Sequence, residues 1–361
     1  GGIPSSGDAA QVRVVTYNIL NPNLCTQARF PHCRPEDLVE AGRWERIWAK
    51  LEDAMVAGRP TVVCLQEVCE HWASRLHAGF QQKGWHFAFA LTPQTFYQPM
   101  GVALAWPNDD FELEELAMLR LGAEVHAPPM PKPSWAQNIL ATLTFGRLGG
   151  SVNEPLGPWR IAARKQNRLL AARLRERRPG GKRFVVATYH MPCLFGDPTF
   201  RQAKAIHSAV LREEAFRFAA GLDLILAGDF NTTPEASELG LVQAGALDVE
   251  SDAYPPPAPG CELSAWLPGG EGQPLRSAYA EALGKEPPFT NYAWIEDQPA
   301  PFRETIDYLF VSEGVQVDGV RELPSAELGD PVYPTADEPS DHVLLAADLR
   351  LGGSGGGGHA A

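Results

Sequence analysis

The segment Asp223–Asn231 reads DLILAGDFN: an apolar run that ends in two polar side chains, Asp229 and Asn231, separated by Phe230. A short apolar run of this kind predicts a buried β-strand. A carboxylate at the end of such a strand is costly unless it is paired or faces a cation, so Asp229 needs an explanation. Asn231 follows two residues later, which places both side chains on one face of an extended segment. The pair suits a general base and an orienting group for one attacking water molecule.

The same pattern recurs at the ends of other apolar runs, in TYNIL, LQEV, TYHMP, TIDYLF and SDH. The polar residues in these runs are Asn18, Glu67, His190, Asp307, Asp341 and His342. Each one alone has a structural explanation, such as a turn-closing Asn, a core His or an Asx-turn. Their joint occurrence at strand ends indicates one site, because strand ends are where a sheet collects its functional side chains.

These residue types support a narrow range of chemistry. Asn18, Glu67 and Asp341 carry hard oxygen ligands, which suit Mg²⁺ or Mn²⁺. A histidine beside a carboxylate, as His342 would be beside Asp307, can be held in one orientation. A cation, an activated water and a histidine together fit hydrolysis of a phosphate ester.

Composition excludes several classes of protein. The 361 residues include 31 Lys and Arg against 44 Asp and Glu, for a formal charge of −13, and 44% are hydrophobic. The apolar content excludes general disorder, and no apolar run approaches the ~20 residues of a membrane helix. The acidity disfavours a protein that coats duplex nucleic acid. One segment, 160–183, is strongly basic, with ten Lys and Arg against one acid. It is either a solvated hairpin face or a basic rim beside an anionic substrate.

Strands and helices mix along the chain without a regular parallel alternation, which favours mixed sheets packed on each other with helices outside. No composition break appears, so residues 11–351 are expected to form one domain, and residues 352–361 are expected to be a Gly-rich linker or tag remnant. Cys25 and Cys33 could close a loop disulfide in an oxidising compartment. Localisation stays unknown: a cytoplasmic location is favoured, with secretion open if an N-terminal signal was removed.

The ordered set TYNIL, LQEV, TYHMP, GDFN, TIDYLF and SDH resembles the endonuclease/exonuclease/phosphatase superfamily, the deoxyribonuclease-I-like fold. The matching motifs extend from Val14 to Leu349. The resemblance implies an α/β (α+β) fold: a four-layer αββα sandwich of two packed mixed β-sheets with outer helices. It places the active site at one edge of the two sheets.

The resemblance also implies a role for each motif residue. Asn18 and Glu67 would bind Mg²⁺ (Mn²⁺ is possible), and Asp341 would support the metal or the water. Asp229 would activate the water, Asn231 would orient it or touch phosphate, and His190 would contact the phosphate. His342, oriented by Asp307, would stabilise charge on the phosphoryl group. The substrate-binding candidates are Asn167, a weaker match that could instead cap a strand, and Arg168 of the basic segment, with Phe195 and Phe302.

Within the superfamily, the segments Phe30–Leu51 and Phe289–Tyr292 resemble the branch of nocturnin, the poly(A) deadenylases and the 2′,5′-phosphodiesterases. Phe302 stands where the deadenylases stack an aromatic ring on a base. Phe195 replaces that branch's stacking proline, which puts adenine-specific recognition in doubt. Both phenylalanines could instead be ordinary hydrophobic loop residues.

The resulting hypothesis is a Mg²⁺-dependent phosphodiesterase that hydrolyses phosphate esters of RNA ends or oligonucleotides, expected to be a monomer without a membrane span. The alternative is a phosphatase or phosphodiesterase acting on a small nucleotide or lipid head-group phosphoester, which the acidic surface and the altered stacking position favour. A non-catalytic relative would have no need for the full catalytic set, which argues against that third hypothesis.

Overall fold

The computed structural model describes residues 11–56, 58–93, 99–127, 157–258, 260–263, 273–327 and 329–352. Apart from Gly352, the predicted Gly-rich tail lies outside the described residues. Within the described ranges, none of the helices combines the length and apolar character that a membrane-spanning segment requires.

In the part of the chain that the structure describes, twelve strands form two six-stranded sheets. The first sheet contains, in spatial order, Gln316–Val320 (β13), Leu345–Arg350 (β14), Gln11–Asn18 (β1), Thr61–Cys69 (β2), Met100–Pro107 (β4) and Trp85–Leu91 (β3). The second contains Phe111–Arg120 (β5), Arg168–Glu176 (β6), Arg183–His190 (β7), Asp223–Asp229 (β8), Asp307–Ser312 (β12) and Leu275–Ser277 (β9). Each sheet has one parallel pair, β1–β2 in the first and β7–β8 in the second. The remaining pairs are antiparallel, so both sheets are mixed.

Helices and a small ribbon complete the described fold. The helices are Glu40–Ala54 (α1), Glu70–Gln82 (α2), Leu121–Glu124 (α3), Pro158–Arg164 (α4), Pro198–Ala219 (α5), Ser237–Ala244 (α6) and Ala278–Leu283 (α7), with a 3₁₀ turn at Pro35–Leu38. The ribbon pairs Asn291–Ala293 (β10) with Phe302–Glu304 (β11). Helix α5 begins where the Asp197 side chain accepts a hydrogen bond from Thr199 N, an N-cap that satisfies a free amide of the first turn.

The alternation of side chains along the central strands builds three apolar layers. Val14 and Val62 point between the sheets and pack with Val186 and Ile225 of the second sheet. Their neighbours Val15 and Val63 point the other way, onto α1 and α2. On the second sheet, Val185 and Leu224 face α5. Because strand side chains alternate between faces, continuous apolar strands imply burial on both faces, and the result is the predicted αββα sandwich.

The motifs TYNIL and TIDYLF lie only partly in strands. Strand β1 stops at Asn18, because the Asn18 Oδ1 atom accepts a hydrogen bond from Leu20 N and turns the chain. Strand β12 begins at Asp307, so Thr305 and Ile306 of TIDYLF precede the strand. Strand β5 was not predicted, since a register shift between Leu113 and Glu115 interrupts the alternation of its side chains.

Strand β5 also explains much of the basic segment. Arg173 lies 2.7 Å from Glu115, Arg183 lies 2.7 Å from Glu114, and Arg175 pairs with Glu112. Arg183 begins β7 and His190 ends it, so these pairs are remote from the strand end that carries His190. They form a solvated face of paired charges, as the first interpretation predicts, and are not a rim beside the site.

Cys25 and Cys33 are both free thiols. They are buried in a small apolar cluster with Phe30 and Tyr333. Burial raises the pKa of the Cys25 thiol to about 11 and that of Cys33 to about 12, so both side chains behave as small apolar groups.

Candidate active site

Three predicted residues lie side by side at one edge of the second sheet. His190 ends β7 and is in register with Asp229, which ends the parallel neighbour β8. Asp307 begins the antiparallel strand β12 and is in register with Asp229 from the other side. Gly228 lets these strands approach, since a Cβ atom there would lie 2.0 Å from the Tyr189 carbonyl oxygen. The sheet therefore places the carboxylates of Asp229 and Asp307 and the imidazole of His190 side by side at this edge.

Asn18 and Glu67 come to the same point from the first sheet. Asn18 ends β1, and its Nδ2 atom donates to Asp229 Oδ2 at 3.0 Å and to Glu67 Oε1 at 3.3 Å. This buried amide thus links the edges of the two sheets.

Glu67 sits in an irregular part of β2. The register of β2 against β4 shifts between Gln66 and Val68, and Glu67 between them has a left-handed backbone with φ 59°. Its Oε2 atom accepts a hydrogen bond from Asn21 N at 2.9 Å. Strained positions and bulges cluster at functional sites because they re-aim one side chain, and here the re-aimed side chain is a carboxylate.

The segment Ser340–His342 lies beside the end of β1, because β14 pairs antiparallel with β1. Ser340 Oγ donates to Asn18 O at 2.7 Å, which fixes the segment to β1. His342 Nδ1 lies 2.8 Å from Asp307 Oδ2. Thr290 Oγ1 donates to the same Asp307 oxygen at 2.7 Å. The carboxylate of Asp307 is therefore held from two sides and orients the imidazole.

The electrostatics of this group favour a charged histidine. Burial opposes the imidazolium, but the carboxylates of Asp307, Asp341 and Asp229 outweigh it and raise the pKa of His342 well above its ordinary value. Burial raises the pKa of Asp307 to about 6, although His342 opposes the shift. Burial and the Glu67 charge raise the pKa of Asp341, again against His342. The site concentrates negative charge that a single imidazolium does not balance.

Asp229 lies at the centre of the arrangement. Its Oδ2 atom is 3.4 Å from His190 Nε2 and 3.7 Å from His342 Nε2. Its Oδ1 atom accepts a hydrogen bond from Asn231 N at 2.8 Å. Asn231 has φ 46°, and its side-chain Nδ2 donates to Met191 O at 2.9 Å. A carboxylate facing two imidazoles in this way can accept a proton beside a bound anion.

Two sets of groups could hold a cation. Asp229, Asp307 and His342 offer ligand atoms within 4.8 Å of one another. In that set the hydrogen bond between His342 and Asp307 already occupies the Nδ1 atom. The predicted set is Asn18, Glu67 and Asp341. Glu67 and Asp341 offer carboxylate oxygens, which hard divalent cations prefer, whereas Asn18 directs its Nδ2 atom toward Glu67 and its Oδ1 atom accepts a hydrogen bond from Leu20 N.

The predicted substrate-binding residues lie around this centre in different ways. Asn167 donates from Nδ2 to His190 O at 2.7 Å and so contacts the strand end directly. Phe195 and Phe302 meet edge to face with ring centroids 6.1 Å apart, and Phe195 is 45% exposed. Arg168 donates from Nε to Leu91 O on β3 at 2.8 Å. The structure brings the two phenylalanines together, whereas the Arg168 guanidinium is engaged by the first sheet.

Four supporting residues were missed by sequence reasoning: Asn21, Lys204, Thr290 and Ser340. Lys204 Nζ donates to Asn231 O at 2.9 Å and lies 4.8 Å from the Phe195 ring centroid. Ser340 belongs to the motif SDH and Thr290 to the segment Phe289–Tyr292, so both could have been found from the sequence. No sequence motif points to Asn21 or Lys204. Asn21 contacts Glu67 through its backbone amide, and Lys204 donates to the backbone carbonyl of Asn231.

The chain matches the Endonuclease/Exonuclease/phosphatase family over residues 15–342. It is 26% identical to Nocturnin of Drosophila melanogaster over 375 aligned residues, which cover 96% of this chain and 48% of that protein. It is 25% identical to the CCR4-Not complex 3′-5′-exoribonuclease subunit Ccr4 of Emericella nidulans, covering 96% of this chain and 53% of that protein. The chain therefore spans about half the length of these curated relatives. They confirm the branch that the sequence motifs predict.

Among solved structures, the chain is similar to ANGEL2, described as a 2′,3′-cyclic phosphatase, in complex with adenosine-2′,3′-vanadate. The TM-score is 0.67 at 19% identity, with 95% of this chain and 96% of the other covered. This likeness confirms the predicted fold.

Proposed function

The chain belongs to the endonuclease/exonuclease/phosphatase family, whose members are phosphoric ester hydrolases, and on this premise we propose that it is a Mg²⁺-dependent phosphodiesterase acting on RNA ends or oligonucleotides. The observation that carries the proposal is the convergence of Asp229 with His190 and His342 at one edge of both sheets. A carboxylate beside two imidazoles suits the attack of water on a phosphate. The carboxylate can accept a proton from the water, and the imidazoles can stabilise the negative charge of the phosphate.

The residues divide the chemistry between them. Asp229 takes the proton of the attacking water, and the Asn231 amide hydrogen on its Oδ1 atom fixes the direction of the carboxylate. His342, kept cationic by its carboxylate neighbours, stabilises negative charge that develops on the phosphoryl group. His190 Nε2 faces the same Asp229 oxygen as His342 Nε2, and from there it would contact the phosphate.

The donor groups fit a divalent cation. Glu67 and Asp341 would hold Mg²⁺ or Mn²⁺ with Asn18 beside them, because carboxylate oxygens are hard ligands and the site carries excess negative charge. A cation there neutralises charge on the phosphate oxygens when it is bound. Burial raises the pKa of Asp341 and the neighbouring Glu67 charge raises it further, so a cation bound there would offset the cost of ionising both carboxylates.

Single-stranded or terminal nucleotides are favoured over duplexes as substrates. Phe195 and Phe302 form an aromatic edge near the site, with Lys204 against the Phe195 ring. Bases stack on such rings with little sequence preference. The relative Ccr4 is named as an exoribonuclease, and the similar ANGEL2 as a cyclic phosphatase crystallised with an adenosine derivative. These names support a nucleotide substrate for this chain.

A second candidate is a phosphatase or phosphodiesterase for a small nucleotide or lipid head-group phosphoester. It is favoured by the pairing of Arg173, Arg175 and Arg183 with acids of β5, which leaves those arginines unavailable to follow a long phosphate backbone.

The test is a substrate panel with metal control. Oligoadenylate, 2′,5′-oligoadenylate, single-stranded DNA, NADPH and a chromogenic phosphomonoester are incubated with the chain after EDTA treatment, then with added Mg²⁺ or Mn²⁺. We expect no turnover in EDTA, restored turnover with metal, and oligonucleotide cleavage above monoester hydrolysis. Asp229→Asn is the negative control, with an expected loss of about 10³-fold. Metal-independent turnover would contradict the proposal, and activity on the monoester alone would favour the second candidate.

A further inference from the structure

Arg43 of helix α1 is completely buried, which is unusual for a charged side chain. Its guanidinium donates to three backbone carbonyls: Nε to Pro339 O at 2.7 Å, and Nη2 to both Ile19 O and Leu20 O at 2.8 Å. Its Nη1 atom has no hydrogen-bond partner among the described residues. A buried cation with an unsatisfied nitrogen is expensive, so stability alone is a poor reason for this residue.

The first segment that Arg43 holds leads to Glu67. Leu20 has a left-handed backbone with φ 49°, which is strained for a side chain of its size. The turn it makes presents Asn21 N to Glu67 Oε2 at 2.9 Å and follows directly on Asn18. The Arg43 guanidinium binds the carbonyls of both Ile19 and Leu20 in this turn. It therefore fixes the position of the Asn21 amide, which orients the Glu67 carboxylate.

The second segment leads to Asp341. Pro339 directly precedes Ser340, whose hydroxyl donates to Asn18 O at 2.7 Å. Lys50, two turns further along α1, pairs with Glu338 Oε1 at 2.6 Å. Helix α1 thus holds two successive residues, Glu338 and Pro339, immediately before the segment that carries Asp341.

We propose that Arg43 is a positioning residue that holds Asn18, Glu67 and Asp341 in the arrangement required to bind a divalent cation. This inference rests on the metal site of the proposed function. The role requires arginine and not merely a positive charge, because the planar fork reaches carbonyls of two chain segments at once, whereas a lysine ammonium is a single point donor. Residues that orient metal ligands from behind typically change metal affinity by about 10- to 100-fold when they are replaced.

The experiment compares two matched arginines. Arg212 of α5 is also buried and also donates to three carbonyls, those of Val242, Gln243 and Gln273. None of these belongs to the candidate site. We expect Arg43→Lys to weaken Mn²⁺ binding, measured by isothermal titration calorimetry, by about 10-fold or more. We expect Arg212→Lys to leave the Mn²⁺ dissociation constant unchanged, although both variants lower the unfolding temperature measured in EDTA.

Kinetics give a second readout. At saturating Mn²⁺ the kcat of Arg43→Lys should recover toward that of the wild type, because excess cation restores the metal-bound form by mass action. A dissociation constant equal to the wild type's would overturn the proposal. If Arg43→Lys does not fold, Lys50→Met is used in its place. Lys50 is partly exposed, and its replacement removes the ion pair that holds Glu338, next to Pro339, against helix α1. A several-fold weaker Mn²⁺ affinity supports the inference, and an unchanged affinity overturns it.

Failure of the proposed function would look different. If the wild-type chain binds no Mn²⁺, both the proposed metal site and the proposed role of Arg43 are refuted. If the wild-type chain binds Mn²⁺ but cleaves none of the substrates in the panel, only the proposed reaction is refuted. The calorimetric comparison of the Arg43 and Arg212 variants then still tests the role of Arg43.

Discussion

The Nδ1 atom of His342 lies 2.8 Å from Oδ2 of Asp307, inside a fully buried pair. The contact leaves the other ring nitrogen, Nε2, facing Asp229 at 3.7 Å. Thr290 donates to the same Asp307 oxygen, so the carboxylate cannot rotate away without losing two partners. The pair therefore sets both the direction and the charge of the imidazole.

Replacing Asp307 by Asn should lower kcat by about 10²-fold or more, because a neutral amide neither orients nor stabilises the imidazolium as the carboxylate does. Asp307 is one of the charges that raise the pKa of His342, so its removal lowers that pKa. The imidazolium is then lost at a lower pH than in the wild type. The rate of Asp307→Asn should accordingly fall as pH rises, over a range where the wild-type rate is still steady.

Rate profiles between pH 5 and 9, with histidine NMR of both proteins, measure this effect. Asp318, which pairs with Arg350 near the surface, supplies the control variant Asp318→Asn. A profile of Asp307→Asn that matches the wild type would contradict the effect of Asp307 on the pKa of His342.

Gln66 bridges the two sheets directly below the site. Its Nε2 atom donates to Thr16 Oγ1 at 3.1 Å on the neighbouring strand and to Thr188 Oγ1 at 3.0 Å on the opposite sheet. Gln66→Met and Thr188→Val should each destabilise the fold by about 1–3 kcal/mol, since each leaves a buried polar group without its partner. The double variant should cost less than the sum, because both polar ends of the bridge are then gone.

Urea unfolding of the four proteins of this cycle gives the coupling energy directly. Strictly additive losses would mean that Gln66 and Thr188 do not interact across the sheets. Thr61→Val is a suitable control, since the Thr61 hydroxyl donates to Arg59 O within its own segment.

Phe302 and Phe195 offer a test of substrate size. A base stacked on an aromatic ring contributes about 1–3 kcal/mol. Phe302→Ala should therefore lower kcat/KM for an oligonucleotide by about 5- to 100-fold and leave hydrolysis of a chromogenic phosphomonoester nearly unchanged. Equal losses on both substrates would show that Phe302 supports the fold of the site and does not recognise a base. Phe302→Leu, which keeps apolar volume without a ring, separates stacking from packing.

The sequence predicted that several of the candidate site residues would lie together, because each of them follows an apolar run and strand ends converge at one edge. Asn18, Glu67, Asp229 and His342 meet within one network for this reason. Arg43 could not be predicted, since its partners are carbonyls of residues 19, 20 and 339, and residue types do not reveal which carbonyls a buried guanidinium reaches. Strand β5 was missed because its bulge hides the alternation.

His207 should make the stability of the fold depend on pH. Its Nδ1 atom lies 3.0 Å from Tyr189 OH and its Nε2 atom 3.0 Å from Ala162 O, and burial lowers its pKa to about 4. The unfolded chain binds this proton near pH 6.5, so stability is full above that pH and falls between pH 6.5 and 4, by about 3 kcal/mol. His207→Gln should flatten this slope in urea unfolding, whereas the exposed His77→Gln should not. An identical slope in His207→Gln would mean that His207 does not resist protonation in the fold.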